Sequence, residues 1–149
     1  MTLPRASHFL WALLLSLAVA LCEGCSKPAA QARADHLALQ VRAEPGCTET
    51  LRQWFATLES TPPSEKAVPI PASLQSEWWR GAQAHGVWSS DGKLQRISVV
   101  RDGPWLPFIV IGRPSDTAHA LGLTQKAGEP PAFYAEITNG MYTCSPYYK

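Results

Sequence analysis

Two cysteines three residues apart follow the most apolar stretch of the chain, in the segment CEGC (Cys22 and Cys25). A c-type haem site requires a histidine directly after the second cysteine, where this chain has Ser26. A structural zinc site requires two more ligands at suitable spacing, and no His or Cys pair supplies them. A thioredoxin-like pair opens a helix after a strand of a folded domain, which does not fit this N-terminal position. We therefore expect no cofactor and no metal, and interpret CEGC as a processing site.

The residues before CEGC have the pattern of an export signal. Arg5 provides a positive charge, and residues 9–20 (FLWALLLSLAVA) are apolar. That run is shorter than the roughly 20 residues that span a bilayer and is typical of a signal peptide. Residues 18–20 (AVA) match an ordinary signal-peptidase site, and cleavage there leaves all four cysteines in a soluble periplasmic protein.

A second processing route follows from residues 24–28 (GCSKP), which resemble the junction of a bacterial lipoprotein signal. The resemblance implies removal of residues 1–24, lipidation of Cys25 and attachment to a membrane of the cell envelope, on its periplasmic side. Residues 25–45, rich in Ala, Gln, Lys and Pro, would then form a tether, with a possible edge strand at residues 36–41.

Lipidation of Cys25 leaves an even pair of cysteines, Cys47 and Cys144, in the mature chain. Because an exported compartment is oxidising, we expect these two residues to form a disulfide.

Few residues have the pattern of a catalytic site. G-x-S-x-G, H-E-x-x-H, Walker and G-x-G-x-x-G motifs are all missing from the sequence. The residue types of a nucleophile, a base and an acid occur close together in the sequence, at Ser89, His85 and Asp91. Such sets, however, cluster by chance in most domains. We assign no catalytic residue and keep a small envelope hydrolase with His85 as base as an alternative.

The best candidates for binding are large side chains. In Trp78-Trp79-Arg80 the two tryptophans cannot both face one core if the segment is helical, so one should lie near the surface. Trp79 and Arg80 would then contact a partner, because Trp and Arg are enriched in binding hot spots. In one alternative Trp79 stacks on a glycan; in another Trp78 fills the core and Trp79 covers a sheet edge. Tyr147 and Tyr148, after the last strand, are further partner-binding candidates.

These side chains need a scaffold, and the pattern predicts one domain over residues 46–149. Residues 48–60 place apolar side chains at helical spacing, and Pro62-Pro63 ends that helix. Residues 71–84 predict a second helix, weakened by Gly81, and residues 116–122 a short third one.

The remaining elements are strands. Asp91-Gly92 and Asn139-Gly140 are hairpin turns, and residues 108–111 (FIVI) predict a fully buried strand. Pairing outward from Asn139-Gly140 matches Thr138 with Met141 and Ala135 with Cys144, which puts Cys144 on the core side. The fold class is therefore α+β, with one or two helices on a mainly antiparallel sheet of four to six strands.

The net charge and the lack of catalytic motifs in the sequence limit the class of function. The formal net charge is +1, and the basic residues are scattered, which gives no basis for binding nucleic acid. Small size, a tether, a disulfide and missing catalytic motifs favour binding over catalysis. We expect a domain that binds another envelope or secreted protein, as an inhibitor or immunity factor or as an accessory of envelope assembly.

Overall fold

A computed structural model of the chain describes residues 27–60, 67–103, 106–124 and 132–146. Two helices pack on a six-stranded antiparallel sheet, which confirms the predicted α+β class. The helices are α1 (Lys27–Ala43) and α2 (Cys47–Ser60); the strands are β1 (Ala67–Val68), β2 (Ala82–Trp88), β3 (Leu94–Arg101), β4 (Phe108–Ile111), β5 (Ala132–Thr138) and β6 (Met141–Pro146). The order of strands in the sheet is β1-β2-β3-β4-β6-β5. No helix in the described ranges is both long and apolar enough to span a membrane.

Helix α2 is the predicted helix of residues 48–60, beginning one residue earlier. Its buried side chains follow helical spacing from Leu51 through Trp54 and Phe55 to Leu58. Gly46 precedes the helix with a φ of 71°, a left-handed conformation that glycine adopts without strain. The sharp turn at Gly46 lets α2 follow α1 directly.

Helix α1 corrects the prediction of a tether with an edge strand over residues 25–45. Alanine is the strongest helix former, and Ala30, Ala34 and Ala38 are buried on one face. These small side chains let the helix approach β6 closely, so that the hydroxyl of the buried Thr143 donates a hydrogen bond to the carbonyl of Ala34 (2.6 Å). The segment expected to hold the domain away from the membrane is therefore part of its packed structure.

The predicted helix of residues 71–84 is also wrong. Residues 72–81 contain a series of turns, and β2 begins at Ala82. Gly81 has a φ of 77°, which ends the last of these turns in a conformation that no helix interior contains. Residues 116–122 likewise form turns rather than a third helix.

Both predicted hairpins form, each with a one-residue bulge. Thr138 pairs with Met141 as predicted, but the register shifts between Glu136 and Thr138, so that Cys144 lies opposite Tyr134 instead of Ala135. In the first hairpin the register shifts next to Trp88, so that Val87 lies opposite Arg96, Trp88 lies opposite Leu94, and Gln95 is the extra residue. A bulge adds one residue to one strand and therefore changes which side chains lie opposite each other beyond it.

The sheet has an apolar cluster on each face. The main core, between the sheet and the helices, contains Cys47 together with Ile97, Ile109 and Met141. A second cluster lies on the opposite face, beneath the segment of residues 112–124; its buried members are Val110, Ala118, Leu121, Leu123, Tyr142 and Cys144. Strand β4 contributes to both clusters; residues 109–111 are buried as predicted, whereas Phe108 is only partly buried.

The predicted Cys47–Cys144 disulfide is wrong. Both thiols are free and buried, and they belong to clusters on opposite faces of the sheet. Successive side chains of a strand face opposite sides, and Cys144 shares its face of β6 with Tyr142. The sheet itself therefore separates the two sulfur atoms.

The two thiols should resist alkylation in the native protein. Burial raises the pKa of Cys47 to about 12, with a smaller contribution from Glu44, and burial also raises the pKa of Cys144 to about 12. Treatment with iodoacetamide at pH 8 should leave both unmodified, and the same treatment in denaturant should label both, as read by peptide mass spectrometry. Because the folded pKa exceeds the unfolded one of about 8.5, stability should also fall as pH rises above about 9. A peptide cross-linked through Cys47 and Cys144 would contradict this expectation.

Candidate functional site

Trp79, predicted to contact a partner, lies in the main core. It is 5% exposed, and its indole N–H donates to the carboxylate Oε2 of Glu44 (2.8 Å). The ring of Trp78 packs edge-on against it, with 4.8 Å between the ring centroids. Trp79 is therefore almost completely buried, and the prediction that it is an exposed contact for a partner is wrong.

Glu44 connects the end of α1 to the turns that carry both tryptophans. Its Oε1 accepts the backbone N–H groups of Gln75 (3.2 Å) and Ser76 (3.4 Å), while Oε2 accepts Trp79. Partial burial alone would raise the pKa of Glu44, but the hydrogen bonds from Trp79, Ser76 and Gln75 outweigh it and lower the pKa. Glu44 thus fixes residues 75–79 against α1.

Of the other predicted partner-binding residues, Arg80 lies within the described ranges. Arg80 is exposed next to Trp79. Tyr147, Tyr148 and the predicted lipidation site Cys25 lie outside the described residues.

Ser89, His85 and Asp91 do not form a catalytic set. His85 is exposed in the middle of β2, opposite Ser98. Ser89 lies four residues further on, a separation of roughly 13 Å along extended chain. The Ser89 hydroxyl donates to Asp91 within the turn, and that bond lowers the pKa of Asp91. Ser89 and Asp91 therefore shape a hairpin turn, and neither is positioned to work with His85.

An apolar groove lies between α1 and the chain that enters β4. We call it the α1 groove; its main lining residues are Arg33, His36, Leu37, Trp78, Arg101 and Leu106. Its volume is about 190 Å³, enough for one apolar side chain. Leu106 is 41% exposed and Trp78 is half-buried, so both present apolar surface to solvent.

The α1 groove has cationic residues at its rim and no acidic residue among its described lining. Arg33, held by a hydrogen bond from its Nε to the hydroxyl of Ser145 (3.1 Å), lies on α1. Arg101 ends β3 on the other side of the groove. The arrangement favours an apolar side chain that has carboxylates beside it.

Sequence reasoning missed the α1 groove because it treated α1 as a tether. Arg33, His36, Leu37 and Gln40 line the groove at positions i, i+3, i+4 and i+7, which form one face of a helix. Once the alanine content indicates a helix, this spacing identifies the four residues as one face of that helix.

The described parts of the chain contain no cluster of three or more His, Cys, Asp or Glu residues that could hold a metal ion. Comparison of the chain with models of protein families, with curated proteins and with solved structures gave no significant match in any of the three.

Proposed function

We propose that this protein is a non-catalytic binding domain that is exported to the periplasmic side of the cell envelope, anchored there by a lipid on Cys25, and binds another protein through the α1 groove. The observation that carries the proposal is an exposed apolar groove with arginines on both sides. An inhibitor or immunity factor and an envelope-assembly accessory are the two roles that such a domain fits.

The groove chemistry specifies the kind of partner. An apolar side chain of the partner would contact Leu106 and Trp78 and displace water from their surfaces. Carboxylates flanking that side chain would lie near Arg33 and Arg101, where long-range attraction speeds association and selects against basic partners. The expected occupant is therefore an acidic protein segment with one apolar anchor residue.

The packing of α1 is relevant to where the domain sits. If Cys25 carries the lipid, α1 begins two residues later at Lys27. The domain would then lie close to the membrane surface instead of at the end of a long tether, and would meet partners that are themselves bound to or inserted near that membrane.

The test is site-specific crosslinking followed by binding measurements on the captured partner. A photo-crosslinking residue at Gln40, in the groove, should capture a partner through an acidic segment, whereas one at Ala32, exposed elsewhere on α1, should not. With that partner, Leu106→Ala should weaken binding at least about tenfold, because it removes apolar contact from the groove. Arg101→Gln should slow association and reduce its dependence on salt.

A matched change outside the α1 groove provides the control. Leu39 is 59% exposed on the outer side of α1 and does not line the groove, so Leu39→Ala should leave the affinity within about twofold. Equal affinities for wild type, Leu106→Ala and Arg101→Gln would refute the groove as the binding site, as would a captured segment without acidic residues.

A further inference from the structure

A second cleft, on the sheet face opposite the helices, has a different chemical character. We call it the Arg96 cleft; the lining residues that matter here are Val87, Arg96, Arg113, Asp116, Leu121 and Gly122. Its volume is about 410 Å³, in the size range of small-molecule sites. It lies between strands β2 and β3 and the turns of residues 112–124, away from the α1 groove.

Arg96 brings a positive charge to this cleft. One guanidinium Nη donates to the carbonyl of Leu121, which fixes the side chain in place. Its Nε is buried and has no hydrogen-bond partner, and no carboxylate in the described residues forms an ion pair with it. A half-buried guanidinium with a missing acceptor is costly unless something else supplies one.

Arg113, the other arginine of the cleft, differs because its charge is already neutralised. It forms an ion pair with Glu59 of α2 (2.6 Å), and its Nη2 also donates to the carbonyl of Leu94 (2.8 Å). Arg113 thus acts as a wall of the cleft, while Arg96 is the cation left to bind a ligand.

Asp116 supplies the opposite charge in the same cleft. Its Oδ2 accepts the backbone N–H of Arg113 (2.7 Å), and it forms no ion pair with a described cation. Arg96 and Asp116 therefore line one cleft as separate unpaired charges. A ligand that carries both signs of charge gains from each, whereas a simple anion meets the repulsion of Asp116.

From these charges we propose that the Arg96 cleft binds a small zwitterion of the amino-acid class, with its carboxylate at Arg96 and its ammonium group at Asp116. Val87 and Leu121 give the cleft apolar surface that accommodates an aliphatic side chain. This site is independent of the α1 groove and of whether that groove binds a protein.

Three matched probes test the proposal by NMR titration of the full mature protein. They are L-valine, isovalerate, which lacks the ammonium group, and isobutylamine, which lacks the carboxylate. L-Valine should give saturable shifts of the backbone amides of Leu121 and Gly122, with a Kd below about 10 mM. The two truncated probes should bind at least about tenfold more weakly, because each leaves one charge of the cleft unpaired.

Two variants assign the charges. Asp116→Asn keeps an oxygen to accept the Arg113 N–H and removes only the charge, so it should abolish the advantage of L-valine over isovalerate while the fold is retained. Arg96→Gln should weaken binding of both carboxylate probes at least about tenfold. Absence of saturable shifts with L-valine, or equal affinity of wild type and Asp116→Asn for it, would overturn the proposal.

Discussion

Replacing Trp79 with alanine is expected to lower the free energy of unfolding by about 3–5 kcal/mol. The side chain is almost fully buried in the main core, so the substitution leaves a cavity beneath the turns of residues 72–81. It also removes the hydrogen bond to Glu44, whose carboxylate would keep its donors from Gln75 and Ser76. Urea unfolding followed by far-UV circular dichroism measures the loss.

Trp78→Ala is the matched control, because it changes the same residue type one position away. Trp78 is only half-buried and packs at the edge of the core, so its removal should cost clearly less stability than that of Trp79. It lines the α1 groove, however, and should weaken partner binding. An equal loss of stability in both variants, or a larger one for Trp78, would contradict the assignment of Trp79 as the core residue.

The contrast between the two tryptophans shows how far local pattern reasoning extends. Because adjacent residues of a helix cannot face the same core, the sequence predicted that one of the two tryptophans is buried and the other is exposed. Residues 72–81 are not helical, and Glu44, far away in sequence, holds the indole of Trp79 in the core. That contact comes from tertiary packing, which a local pattern does not contain.

The strands were predicted more completely than their register. Residues 139–140 gave the right turn and the right first pair, since Asn-Gly is specific for this geometry. The bulge before Thr138 has no distinctive residue, and it moved every later partner by one position. The disulfide prediction was wrong because Cys144 lies on the face of β6 opposite the helices. An even number of cysteines does not indicate on which side of a sheet each side chain lies.

The candidate sites were the least predictable part of the molecule. The Arg96 cleft joins β2 and β3 to residues 113–122, and its two unpaired charges are 20 residues apart in sequence, at Arg96 and Asp116. Neither residue belongs to a short motif, and both have ordinary structural roles in isolation. What distinguishes them is that one cleft contains both charges and that neither forms an ion pair with a described residue, a property of the folded chain alone.

Gly140→Ala is expected to destabilise the protein by about 3 kcal/mol or more. Gly140 has a φ of 76°, and a Cβ at this position would lie 1.9 Å from the backbone carbonyl oxygen of Arg113. Its own carbonyl accepts the N–H of Gly112 (2.7 Å), so the β5–β6 turn cannot move away without breaking the contact between that turn and the end of β4.

Gly92→Ala separates this collision from the cost of the turn conformation. Gly92 has a φ of 78° in the other hairpin turn, and a Cβ there meets nothing within 4 Å. Gly92→Ala should therefore lower the free energy of unfolding only by the strain of the left-handed conformation, about 1 kcal/mol. Denaturant midpoints of the two variants measure the difference, which should be about 2 kcal/mol or more in favour of Gly92→Ala.

Because Arg113 is also a wall of the Arg96 cleft, Gly140→Ala should in addition disturb the amides of residues 113–122 while those of α1 keep their wild-type positions. Equal destabilisation by the two substitutions would mean that residues 112–114 yield easily, and the rigid wall assigned to Arg113 would then be wrong.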